Sequence, residues 1–160
     1  MNAPLAPTLA SPLATRLLAL LAPQDGSGTP PAAQWLHAQA ALLAEGETDP
    51  TRLVDQWLTH PGPEDRALAR LASLLSLNVT ECMALVLCHA VSTNAYASRA
   101  MAWLQGGDRT ASPSPGLLAS LDARCGRSAV QSLAALLDGE ALASGLLQLD
   151  GLERALPDAR

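Results

Sequence analysis

Cys82, Cys88 and His89 are the first residues in this chain whose types invite chemistry, because thiolate and imidazole groups are metal ligands. In a helix, positions six apart diverge by about 120° and adjacent positions by about 100°, so these three do not converge on one ion. A metal site would need His37, His60 or Cys125 from elsewhere, and small thiols packed in an Ala/Leu core are the better reading. His89 is also the obvious base for a Ser–His–Asp arrangement, which makes a small helical hydrolase one reading of the chain. No GxSxG elbow accompanies it, and a His inside an apolar helix is more often a hydrogen-bonded core residue. The carboxylates Glu64-Asp65 and Glu45, Glu47 and Asp49 fall at helix ends and read as capping charge. The chain has no Lys, so the phosphate-binding loop that ends in Gly-Lys-Ser/Thr is absent from it. Gly126-Arg127-Ser128 echoes that ending without a Gly five positions earlier. The expectation is a non-enzyme with no catalytic residue, no cofactor and no bound metal.

The elements that must position any site are helices. Leu and Ala fill 63 of 160 positions, while Ile and Phe are missing and Val occurs five times. Helices favour Ala and Leu, and strands favour β-branched and aromatic side chains. An apolar content of 49% supplies enough surface to offset the ordering entropy. The net charge of −5, with every base an Arg, argues against nucleic acid and anionic lipid as partners. The longest apolar runs, residues 13–22 and 82–91, fall short of the roughly 20 residues that cross a bilayer. Three cysteines without CxxC spacing suit reduced thiols, so a cytoplasmic location is expected.

Punctuation divides the chain into residues 1–30, a flexible or docking segment and linker, and residues 31–160, a compact domain. Pro4, Pro7 and Pro12 break the start, residues 13–22 suit a short amphipathic helix, and the Gly/Pro-rich stretch 23–31 reads as a linker. A helix is expected from Pro31 to about Glu45, stopped by Gly46. Asp49 caps the next, with Pro50 in its first turn. Glu64 and Asp65 open a third, with Leu68, Leu71, Ala72 and Leu75 on its apolar face. Asn78-Val79-Thr80-Glu81 has the form of a capping box, and its first three residues, which also match a glycosylation sequon, read better as a helix start. The helix after it is apolar on nearly every side and belongs at the centre of the core. Asn94, Ser114 and Ser128 cap three more, the last with Val130, Leu133, Ala134 and Leu137 on one face. Residues 146–149, the dipeptide Asp150-Gly151 and residues 153–156 suit a short β-hairpin. The expected fold is therefore mainly α, a compact multi-helix domain with a short C-terminal β-hairpin, winged-helix-like.

Tyr96, Arg99 and Trp103 share one helix, and aromatics and Arg are frequent anchors of protein interfaces. They are the candidate partner-binding residues, although core filling is the competing reading for the aromatics. A winged-helix DNA-binding regulator is the alternative function. Residues 95–130 carry Arg99, Arg109, Arg124 and Arg127 against Asp108 and Asp122. Phosphate engagement uses roughly 6–10 basic contacts, and the candidate recognition helix from Ser114 to Ala123 bears no base of its own.

Leu68-Ala69-Arg70-Leu71, the stretch from Leu74 to Glu81, the apolar helix, the stretch from Ser98 to Gly106, Ser112-Pro113-Ser114-Pro115-Gly116-Leu117-Leu118 and the stretch from Ser144 to Leu149 follow one another in a familiar order. This order resembles the N-terminal, winged-helix-like domain that precedes the AAA+ module in ATPases of phage-tail-like contractile injection systems. The resemblance spans about half the chain and rests on hydrophobic and turn positions. Val79 and Thr80 replace the family's aromatic before Glu81, Ser92-Thr93-Asn94 replaces its acids after the apolar helix, and Ser112-Pro113-Ser114 replaces an Arg-Pro-Thr-like start. The resemblance implies an interaction domain whose protein partners are the AAA+ motor module and injection-system components. It also implies homo-oligomers formed through the ATPase module, which these residues do not contain.

Overall fold

The computed structural model describes residues 11–22, 31–42, 46–107 and 111–149. Those residues form nine helices: α1 (Pro12–Leu21), α2 (Pro31–Leu42), α3 (Pro50–Thr59), α4 (Arg66–Leu74), α5 (Val79–Thr93), α6 (Ala95–Leu104), α7 (Pro115–Ala123), α8 (Ala129–Leu137) and α9 (Glu140–Ala143). Most start where a short polar side chain satisfies backbone N–H groups that a first turn leaves unpaired. Asp49 accepts the Thr51 N–H at 2.9 Å, and that bond holds its carboxyl below the usual carboxylate range. Asn78 accepts the Glu81 N–H at 3.0 Å while Glu81 accepts the Asn78 N–H at 2.8 Å, closing the capping box. Ser128 and Gln131 repeat the same reciprocal pair at the start of α8. Asn94 serves twice, ending α5 and accepting the N–H groups of Tyr96 and Ala97.

α5 runs through the middle. Every side chain from Thr80 to Leu87 is buried, and α1, α3, α4, α6, α7 and α8 all pack against this helix. A helix with no polar stripe is stable in water only when neighbours enclose it. Leu13, Leu17 and Leu18 of α1 join Leu36, Val54, Trp57, Met83, Leu87, Met101 and Leu121 in one core. α1 is thus docked on the body, one of the two outcomes expected for the N-terminal segment. Residues 1–10 and the linker at 23–30 lie outside the described residues.

On α4 Ala69 and Ala72 are buried and Leu68 and Leu75 pack against the core, so the expected apolar face points inward with Ala69 added to it. One expectation gives way to packing. The hairpin is not supported: no strand occurs among the described residues, and residues 146–149 follow a turn. Gly145 takes φ +75°, a left-handed conformation in which a Cβ is strained, and the chain then doubles back so that the Leu147 N–H bonds the Ala141 carbonyl at 2.9 Å. Leu146 and Leu147 pack on the core instead of alternating along a ladder. Asp150-Gly151 and residues 153–156 lie outside the described residues. Among the described residues, no helix is long and apolar enough to cross a membrane.

Candidate functional site

Tyr96, Arg99 and Trp103 occupy α6 at spacings of three and four, which places them within about 60° of one another around the helix. Ala97, Ala100 and Met101 turn into the core and fix the rotation of this helix. Tyr96 is 45% exposed and Arg99 is exposed, whereas Trp103 is half-buried. Tyr96 stacks on Trp35 of α2, with ring centroids 5.5 Å apart and planes 20° apart. The result is a ridge at the α2–α6 seam: a braced aromatic pair, a guanidinium one turn on and an indole a turn beyond. Stacked rings lose little rotamer freedom when a partner covers them, which suits an interface anchor. At the other end of α6, Gln105 Nε2 donates to the Ser112 carbonyl at 2.9 Å and its Oε1 accepts the Ser114 N–H at 2.8 Å. That amide clamps the start of α7 to the end of the ridge.

Two of the basic residues beside the candidate recognition helix bond to groups of the fold. The Arg124 guanidinium donates to the Leu20 carbonyl of α1. Arg127 Nη1 lies 3.5 Å from Asp122 Oδ1 and 3.4 Å from Thr80 Oγ1, while Thr80 donates to Asp122 Oδ2 at 2.7 Å. Asp122 is fully buried, and this arrangement neutralises its charge locally. Two guanidinium groups committed to the fold are a poor start for phosphate contacts. Arg109 lies outside the described residues.

The residues singled out for metal or nucleophilic chemistry differ in how far the neighbouring helices cover them. Cys82 is buried, Cys88 half-buried and His89 exposed. His89 is thus not the hydrogen-bonded core residue expected of a His in an apolar helix. No hydrogen bond joins its ring to a Ser or Asp among the described residues. No group of three His, Cys, Asp or Glu side chains gathers as metal ligands among them either. Burial, reinforced by the nearby charges of Glu81 and Asp55, pushes the Cys82 thiol up to about 12; burial also raises Cys88.

One centre was hidden in the sequence, where Asp65 reads only as dipole charge. Asp65 is 1% exposed, and its Oδ2 accepts the Ser11 hydroxyl at 2.5 Å and the Trp57 indole N–H at 3.0 Å. It joins the N-cap of α1, the end of α3 and the start of α4. Beside it opens a cleft of about 390 Å³ lined in part by Arg16, Leu53, Gln56 and His60. With its Oδ2 already accepting two buried donors, Asp65 acts as a structural hub in this cleft. The only sequence signal for it was the distant pairing of a Trp with an acid eight residues on.

Comparison of the chain with protein-family models, with curated proteins and with solved structures finds no match.

Proposed function

We propose that this chain is a non-catalytic interaction domain of the kind that precedes the AAA+ module in ATPases of contractile injection systems, holding protein partners or substrates for a cytoplasmic motor. The reading rests on the order of motifs between Leu68 and Leu149. It is supported above all by the α6 ridge, where exposed Tyr96 is braced on Trp35 with Arg99 and Trp103 along the same face. An aromatic held rigidly at the surface beside an Arg is costly to leave uncovered and well suited to a partner's pocket. The interaction role needs no wing, since the ridge lies on helices throughout.

The test uses the purified chain and the AAA+ and injection-apparatus proteins encoded by the same genome. Binding of one of them in isothermal calorimetry is expected, weakened at least tenfold by Tyr96→Ala or Arg99→Glu with the melting temperature retained. ATP turnover by the purified chain alone, or binding indifferent to both substitutions, would end this reading.

A further inference from the structure

α8 stands the wrong way round for a helix that only has to serve its own core. Val130, Leu133 and Leu137 are 78%, 43% and 47% exposed, and Ala134 beside them is exposed as well. Sequence periodicity gathers these four residues on one apolar face. The structure instead turns Ser132 and Leu136 inward, and the Ser132 hydroxyl is buried without a hydrogen-bond partner. The rotation is fixed from behind, where the Asn78 side-chain amide donates to the Ala135 carbonyl at 2.8 Å. The outward residues follow the i, i+3, i+4, i+7 spacing of one heptad, the pattern that seats one helix on another.

The charges at the ends of α8 select the occupant. No acid stands in the first turn and no base in the last. Instead Asp138 forms the C-cap, so the C-terminal end carries a charge that its own helix dipole disfavours, while the guanidinium of Arg127, before the N-cap, is held by Asp122 and Thr80. A second α8 laid antiparallel across the first removes this fault at both ends at once, because it brings each Asp138 to the partner's N-terminus, where no acid stands. The two-fold axis then passes between Leu133 and Ala134, where the small Ala134 lets the helices approach, and Val130 meets Leu137 across it. We infer that the exposed face of α8 is an isologous docking surface for a second copy of this chain. The apolar stripe is only two turns long, so the association is weak and concentration-dependent.

The test is sedimentation velocity on the full chain from about 10 µM to about 1 mM, spanning the range of weak association. A dimer that grows with concentration is expected. Val130→Glu, at the most exposed of these positions, and Leu133→Arg each weaken it at least tenfold, with the melting temperature as the check on folding. Ala134→Cys, near the axis, forms an inter-chain disulfide under mild oxidation faster than Ala143→Cys on α9. A monomer at every concentration would assign the stripe to another occupant, such as the chain's own C-terminal residues or a different protein, and overturn the inference. So would a dimer insensitive to both charged substitutions, or equal cross-linking at positions 134 and 143.

Discussion

Glu81 Oε1 accepts the backbone N–H of Ala141 at 2.7 Å, joining the first turn of α5 to the first turn of α9 across 60 residues of chain. The same carboxylate accepts the Asn78 N–H through Oε2, so one buried side chain both caps its own helix and anchors another. Gly139 makes room for it: a Cβ there would lie 2.0 Å from Glu81 Oε1 and 2.8 Å from the Ala135 carbonyl oxygen.

Gly139→Ala is therefore expected to destabilise the fold by about 2–4 kcal/mol, since both obstacles are held by hydrogen bonds and packing. Glu81→Gln keeps the shape but turns an amide NH₂ towards a backbone donor, and a loss of about 1–3 kcal/mol follows. Urea unfolding followed by circular dichroism measures both. Equal stability of Gly139→Ala and the parent would mean that this carboxylate does not sit against α9.

Trp57→Phe removes one of the two donors on Asp65 while keeping most of the ring. Taking a donor from a buried acceptor costs about 1–3 kcal/mol, so a loss in that range is expected. Ser11→Ala removes the other donor and also the α1 N-cap, whose Oγ accepts the Ala14 N–H at 3.4 Å. The two losses are expected to be non-additive, because both bonds end on Asp65 Oδ2. A double-mutant cycle by chemical denaturation reads the coupling, and strict additivity would separate the two bonds.

Ser132→Ala gives the opposite sign. Its hydroxyl is buried without a partner, so deleting it removes a desolvation cost and leaves a void of only one oxygen. Unchanged or raised stability, by up to about 1 kcal/mol, is expected in the same assay. A clear loss would reveal a partner for this hydroxyl.

Cys82 supplies a pH dependence. Its folded pKa, pushed up to about 12, lies above the ordinary thiol value. The folded state therefore holds the proton more tightly than the unfolded one. The corresponding stability is fully present below the unfolded thiol pKa and is lost as pH rises through the folded value. Thermal melts should fall more steeply between about pH 9 and 12 for the parent than for Cys82→Ala. Ellman's reagent at about pH 8 should leave Cys82 unreacted until the chain unfolds. Labelling of Cys82 in the folded protein would contradict its burial.

The starts of α3, α5, α6, α7 and α8 were legible in the residues, because Asp49, Asn78, Asn94, Ser114 and Ser128 cap through bonds that span two or three positions. The centrality of α5 was legible too, because an all-apolar helix has no alternative to enclosure. Local chemistry of that kind is complete within one turn. The rotation of α8, the hub at Asp65 and the bond from Glu81 to Ala141 each join elements far apart in the chain. The chain after Gly145 illustrates the difference: the apolar residues 146–149 before Asp150-Gly151 suggest a hairpin, but a strand needs a partner in space. The turn at Gly145 sends those residues onto the core instead. The sequence by itself determined a helical body and its cap positions. Only the tertiary structure decided which helical faces point outward, because that choice belongs to competing neighbours and long-range hydrogen bonds, which no local pattern encodes.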